Sequence, residues 1–427
     1  MSRQAKLVVV SLSLLVICYV TLGYVLAKTG VDDRSYRSLT VFGEVLQHVQ
    51  LDYVEELNLP QVTSGALHGL LEALDPMSSY LTPREYADYK QKSQKAAKGE
   101  VGITLSKRFG YIVVVSVLPD GPAHKGGLRF GDILEAIAGF TTREMSVGQA
   151  QILLSGDPGT AVKVAVVGRG RTEPKDMELI RAQITPPHAT ADKLSGDVGY
   201  LSVVALDPGK TSEIREKLQQ FDRQGLHKLV LDLRECGRGE ASEAMSVARL
   251  FLASGTIATL RGQTVSKQEF TADPAKVVWK YPMTVLVSGS TAGAAEILAG
   301  AIGGNKRGDL VGSRTFGIAS EQKLIPLEDG AALVLTVANY YPPSGKAIAE
   351  EGVAPTVEVR TAREEQNAGN VEGPALPPTD QPASRPTAPD DPVLRKALEI
   401  LKGETRKAAW NRVPAVRRRQ FSIEQAA

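Results

Sequence analysis

Between Gly199 and Val359, short runs rich in aliphatic residues, "KLVLDL" and "MTVLVS" among them, alternate with helical stretches such as "SEAMSVARLFLA". A chain that alternates in this way can bury both kinds of element only by laying helices against a sheet, so the pattern predicts an α/β core over 187–362. That core does not use up the chain. At 427 residues and 43% hydrophobic, there is apolar material for two or three cores.

The second unit is strand-like. From Gly99 to about Ile184, "VGITLS", "YIVVVSVL" and "AVKVAVVG" are rich in β-branched residues, and "GPAHKGGLRFGDILEAIAG" between them reads as a turn, a short helix and a strand. This defines a domain at 99–186. The stretch 29–98 has a helical period: Val41, Val45, Leu46 and Val49 share one face, "SGALHGLLEAL" continues the stripe, and "LDPMSSYLTPREY" closes it with a turn and a new cap. Residues 363–390 are rich in Pro, Ala and Asn and form a flexible linker. The last segment, 391–427, holds the capped amphipathic helix "DPVLRKALEILKG" and a solvated basic tail, "AVRRRQ".

The N-terminus fixes the compartment. Arg3 and Lys6 precede "LVVVSLSLLVICYVTLGYVLA", a run without charge that is long enough to cross a bilayer, and two aspartates follow it. The positive-inside rule then makes 1–28 a single-pass membrane anchor, with the bulk of the chain on the extracytoplasmic, periplasmic side. The alternative is a signal segment cleaved after Val25 and Ala27, which leaves a secreted periplasmic protein. A net charge of +2 names no nucleic-acid partner, and two cysteines exclude a disulfide framework. Cys236 is either a small apolar filler or a nucleophile.

Several motifs stand in one order: "LDPMSSYLTPREY", "GPAHKGGLRFGDILEAIAG", "LVLDLRECGRG", "MTVLVSGSTAGAAEILAGAI", "LVGSRTFGIASEQ" and "YYPPSGKAIAEEGVAPTVEV". The second resembles the central part of a PDZ domain. Together they resemble the carboxy-terminal processing peptidases, the tail-specific proteases, from about Tyr36 to Val359. The resemblance implies a multidomain α/β protein: an N-terminal membrane span and helical region, a PDZ domain and an α/β peptidase-like core. It also implies that the PDZ domain takes the C-termini of polypeptides as an added strand. The matching loop and strand here hold Val101, Gly102, Ile103 and Thr104, where Gly102 permits close approach to a carboxylate; a strand-entry glycine is the plainer reading. No cofactor and no metal is implied.

In that family a serine is activated by a lysine base. The serine opens a helix in a small-residue run; the lysine follows a Thr-Phe-Gly turn, with a glutamine four positions on. On this sequence the serine position falls on Gly293 and the lysine position on Ile318, while Thr315, Phe316, Gly317 and Gln322 match. A glycine has nothing with which to attack, and an isoleucine cannot take a proton. Ser288, Ser290, Thr291, Ser320 and Lys323 lie nearby, and of these Ser290, Ser320 and Lys323 are the candidate substitutes for a rearranged site. Arg238 stands where the family has an anion-cradling glycine, and its side chain is expected to crowd that pocket. The expectation is a proteolytically inactive relative that binds C-termini of exported polypeptides and pairs with an active homologous peptidase. The rival is an active serine-type endopeptidase with a rearranged Ser/Lys site.

Overall fold

The computed structural model describes residues 15–19, 33–94, 99–108, 110–143, 145–168, 173–185, 187–349, 351–360 and 391–412. Most of the apolar N-terminal run, the linker 363–390 and the basic tail lie outside these residues. Among the described residues no helix is long and apolar enough to cross a membrane. Contacts divide the chain between Leu67 and His68.

The first unit holds the helix Asp33–Asp52, whose expected stripe is present but exposed at Val41 and Val45, and the start of the helix Leu59–Glu72. The second unit begins with the rest of that helix, and the turn that the sequence predicts follows it. Asp75 accepts from the N–H groups of Met77 and Ser78, both at 2.8 Å. A capping box between Thr82 and Glu85 then starts the helix Pro83–Gln94. Between turn and cap lies a strand, Ser79–Leu81, that the helical period concealed. It pairs with Ala332–Tyr341, more than 250 residues later.

Residues 99–185 fold as an antiparallel sheet in the order Ile103–Arg108, Tyr111–Val117, Ile133–Ile137, Ala161–Val167, Lys175–Ile180. Its core is built from Val101, Leu105, Ile112, Val114, Leu134, Val162 and Leu179, sealed by the helices Pro122–Lys125 and Val147–Leu154. Ile103–Arg108 is the edge strand, paired on one side only.

The α/β core is built on a sheet of six strands in the order Val357–Glu358, Asp309–Gly312, Met283–Val287, Lys228–Asp232, Val198–Ser202, Thr190–Lys193, all parallel except the last. The strands are apolar on both faces because helices cover both. Leu229 and Leu231 point toward the helices Lys210–Arg223, Ala241–Ala248 and Ala294–Gly304; Val230 points the other way, against the C-terminal helix Pro392–Arg412. A second, antiparallel sheet gathers Ser79–Leu81, Thr256–Arg261, Gln268–Thr271 and the hairpin Ser320–Pro326 with Ala332–Tyr341. This arrangement delivers three loops, 233–237, 288–293 and 313–319, to the carboxyl ends of adjacent parallel strands, where open α/β sheets place their sites.

Candidate active site

The loop 288–293 is tied to its neighbour before the helix begins. Ser288 Oγ donates to the Arg234 carbonyl at 2.6 Å and Thr291 Oγ1 to the Leu233 carbonyl at 2.8 Å. The Ala292 N–H donates to the Cys236 carbonyl at 3.0 Å. Two of the hydroxyls near the serine position are therefore spent on holding the loop. Gly293 then turns the chain into the helix Ala294–Gly304 at φ 58, ψ −118. L-residues rarely occupy that conformation, and glycine does so without steric cost. A Cβ at this position would meet no heavy atom within 4 Å. The slot is open and faces nothing.

Glu296, fully buried on the first turn of this helix, organises the rest. Its carboxylate accepts from the N–H groups of Gly293 at 2.9 Å, Gly317 at 2.7 Å and Ile318 at 2.9 Å, and from Thr315 Oγ1 at 2.5 Å. Burial pushes its pKa above the usual carboxylate range, and the four hydrogen bonds pull the other way. The positions of the serine and the lysine are thus held by one side chain. Sequence reasoning missed it, although a Glu three residues into a helix is the acceptor half of a capping box.

Ile318 is anchored through its N–H to Glu296, and its side chain packs against the buried cluster of Val115, Ala292 and Phe316, on which Phe130 also rests. Val115 and Phe130 belong to the first sheet domain, so the position of the base lies, half-buried, against an apolar contact between domains. Arg108, from the edge strand, stacks its guanidinium 4.1 Å from the centre of the Phe316 ring and donates to the Phe316 carbonyl at 3.1 Å. Thr104 Oγ1 donates to the Gly237 carbonyl at 3.0 Å.

Gln322 is exposed on the strand Ser320–Pro326, where its Nε2 donates to Ser320 Oγ at 2.8 Å. Ser320 Oγ in turn lies 3.4 Å from the Ile318 carbonyl. Ser290 is half-buried, and its N–H donates to Ser288 Oγ at 3.1 Å. Lys323 is exposed, and among the described residues no hydrogen bond joins it to Ser288, Ser290 or Ser320. Cys236 is fully buried, and burial pushes its thiol far above the ordinary range. It fills space and does not attack. Arg238 does not fold back over the loop as expected. Its guanidinium reaches out to Glu100 and Asp207.

The residues following "DLR" are fastened from behind. Arg234 is clamped by Asp232 at 2.6 Å and by Asp391, the cap of the C-terminal helix, at 2.7 Å; Tyr200 donates to Asp232 at 2.7 Å. These partners also escaped sequence reasoning, because they lie far apart along the chain.

Residues 197–359 match the model of peptidase family S41, and residues 113–168 match that of the PDZ domain. A carboxy-terminal-processing protease from Bartonella bacilliformis is 30% identical over 90% of this chain and 92% of its own. A carboxyl-terminal-processing protease from Synechocystis is 31% identical over 69% of this chain and 70% of its own. Among solved structures, a photosystem II D1 C-terminal processing protease is 26% identical with a TM-score of 0.62, covering 75% of this chain and 92% of that one. Fold and motif order define a protein with a PDZ domain and a peptidase family S41 core. The chain belongs to the carboxy-terminal processing protease family.

Proposed function

We propose that this chain is a proteolytically inactive member of that family, which binds the C-termini of exported polypeptides through its PDZ domain. The observation that carries the reading is the pair of positions bracketed by Glu296. One is a glycine that opens onto empty space; the other is an isoleucine whose side chain packs against Val115, Ala292 and Phe316. Hydrolysis by the family's route takes an attacking oxygen and a proton acceptor in contact. The geometry of Ser290, Ser320 and Lys323 supplies no such contact, which supports the inactive reading over the rearranged enzyme.

The proposal places the bulk of the chain on the periplasmic side, held to the cell membrane by residues 1–28. Its partners are C-terminal segments and, through shared clients, an active homologous peptidase.

The full chain, purified in mild detergent, is incubated with an unfolded protein bearing an apolar C-terminus, beside an active family member as control. The expected result is cleavage by the control alone. Cleavage by this chain that vanishes on Ser290→Ala or Lys323→Ala overturns the proposal in favour of the rearranged enzyme.

A further inference from the structure

The position where the core has exchanged a glycine and the loop where the PDZ domain takes a carboxylate meet in one ion pair. Arg238 Nη1 lies 2.6 Å from Glu100 Oε1, and Arg238 Nε lies 3.4 Å from Asp207 Oδ1. Glu100 immediately precedes Val101, Gly102 and Ile103.

That loop has the form of an anion receptor. Gly102 lies at φ 76, and a Cβ there would stand 2.8 Å from Ile184 Cδ1. The carbonyls of Val101 and Gly102 are both taken, by the N–H groups of Ala123 at 2.9 Å and Leu118 at 2.8 Å. Among the described residues the N–H groups of Val101 and Gly102 donate to nothing, although both residues are buried. The bond from Leu118 to Gly102 makes Ile103 and Val117 a non-hydrogen-bonded pair, so the Ile103 N–H also points to the free edge of the sheet. Buried N–H groups without partners are rare in folded proteins. Successive ones around a positive-φ residue form a nest for a negative charge.

A nest of amides holds a carboxylate better with a cation beside it, and no Lys or Arg occurs between Gly99 and Ser106. The core supplies one. We propose that Arg238 is a carboxylate anchor: it completes the PDZ loop from the core side and binds the C-terminal carboxylate of the captured polypeptide, while Glu100 occupies its guanidinium in the free protein. The inference rests on the reading that this chain binds C-termini. Of the two carboxylates on Arg238, Glu100 is the displaceable one, with its side chain 36% exposed against 14% for Asp207. Asp207 stays on Nε and keeps the fork oriented, which leaves Nη1 for the incoming group.

The test uses the full chain and one labelled peptide with an apolar C-terminus, as the free acid and as the C-terminal amide, followed by fluorescence anisotropy. The wild type prefers the acid. Arg238→Ala weakens acid binding about tenfold and leaves amide binding unchanged, as expected for one charge-assisted contact. Glu100→Gln removes the competitor and tightens acid binding by about threefold, with the amide again unaffected. A purely structural ion pair would give the two variants the same sign. An Arg238→Ala protein that keeps the wild-type preference for acid over amide overturns the inference. If that variant fails to fold, Glu100→Gln decides: unchanged or weaker acid binding overturns it. A wild type that binds acid and amide equally overturns the anchor and leaves tail binding standing. A wild type that binds neither removes tail binding itself.

Discussion

Gly293 and Glu296 make opposite demands on a side chain. At Gly293 there is room but an unfavourable backbone, so Gly293→Ser should fit sterically and cost about 1–3 kcal/mol in conformational strain. It should confer no proteolysis, because the position of the base is still Ile318, which cannot take a proton. A thermal melt and a substrate digest check the two halves of that prediction. At Glu296 the backbone is ordinary and every lone pair is engaged. Glu296→Gln turns an amide NH2 toward a group of donors, and a buried donor left facing donors should cost about 2–4 kcal/mol. Denaturant unfolding reads it, and Glu296→Asp should lose less only if the shorter arm still reaches Gly317. The glycine at 293 was legible in the sequence because a motif surrounds it. Glu296 was not, because its partners 315–318 come together only once two strands of the sheet lie side by side.

At the scale of elements, local chemistry was legible and long-range fastening was not. The Thr82–Glu85 cap and the cap of the C-terminal helix follow from short patterns, and so does the alternation of strand and helix from 198 to 312. The strand Ser79–Leu81 did not, since nothing local reveals that Ala332–Tyr341 will lie beside it. Asp391 shows both sides of this. Its role as a cap, accepting from the N–H groups of Val393 and Leu394 at 3.0 Å, is readable from "DPVL". Its ion pair with Arg234, 157 residues away, is not. Asp391→Ala therefore removes a cap and leaves a largely buried guanidinium with only Asp232. The combined loss should be about 3–5 kcal/mol, larger than either kind of contact alone. Hydrogen exchange should show the amides of 393–401 losing protection first; loss confined to global unfolding would mean that the helix is not held by this contact.

On the scale of the molecule, a family member without hydrolysis can still act on a tail by occupying it. Family members that cut must both capture a C-terminus and present the chain to a nucleophile. Here the surface facing the PDZ domain carries the apolar packing of Val115, Ala292, Phe316 and Ile318 and the stack of Arg108 on Phe316. On the proposed function, capture without release as product makes this chain a competitor. Added to an active relative and a shared client, it should slow cleavage in proportion to the fraction of tails it holds. A short peptide with the same C-terminus should relieve the inhibition by taking its place in the groove. Ile318→Asp separates this from non-specific interference: it breaks the apolar joint while leaving the carboxylate loop intact, so competition should persist even as hydrogen exchange quickens in the strand Tyr111–Val117. Inhibition that the free peptide does not relieve, or that follows Ile318 instead of the loop, would assign the effect to the joint between domains and not to the capture of tails.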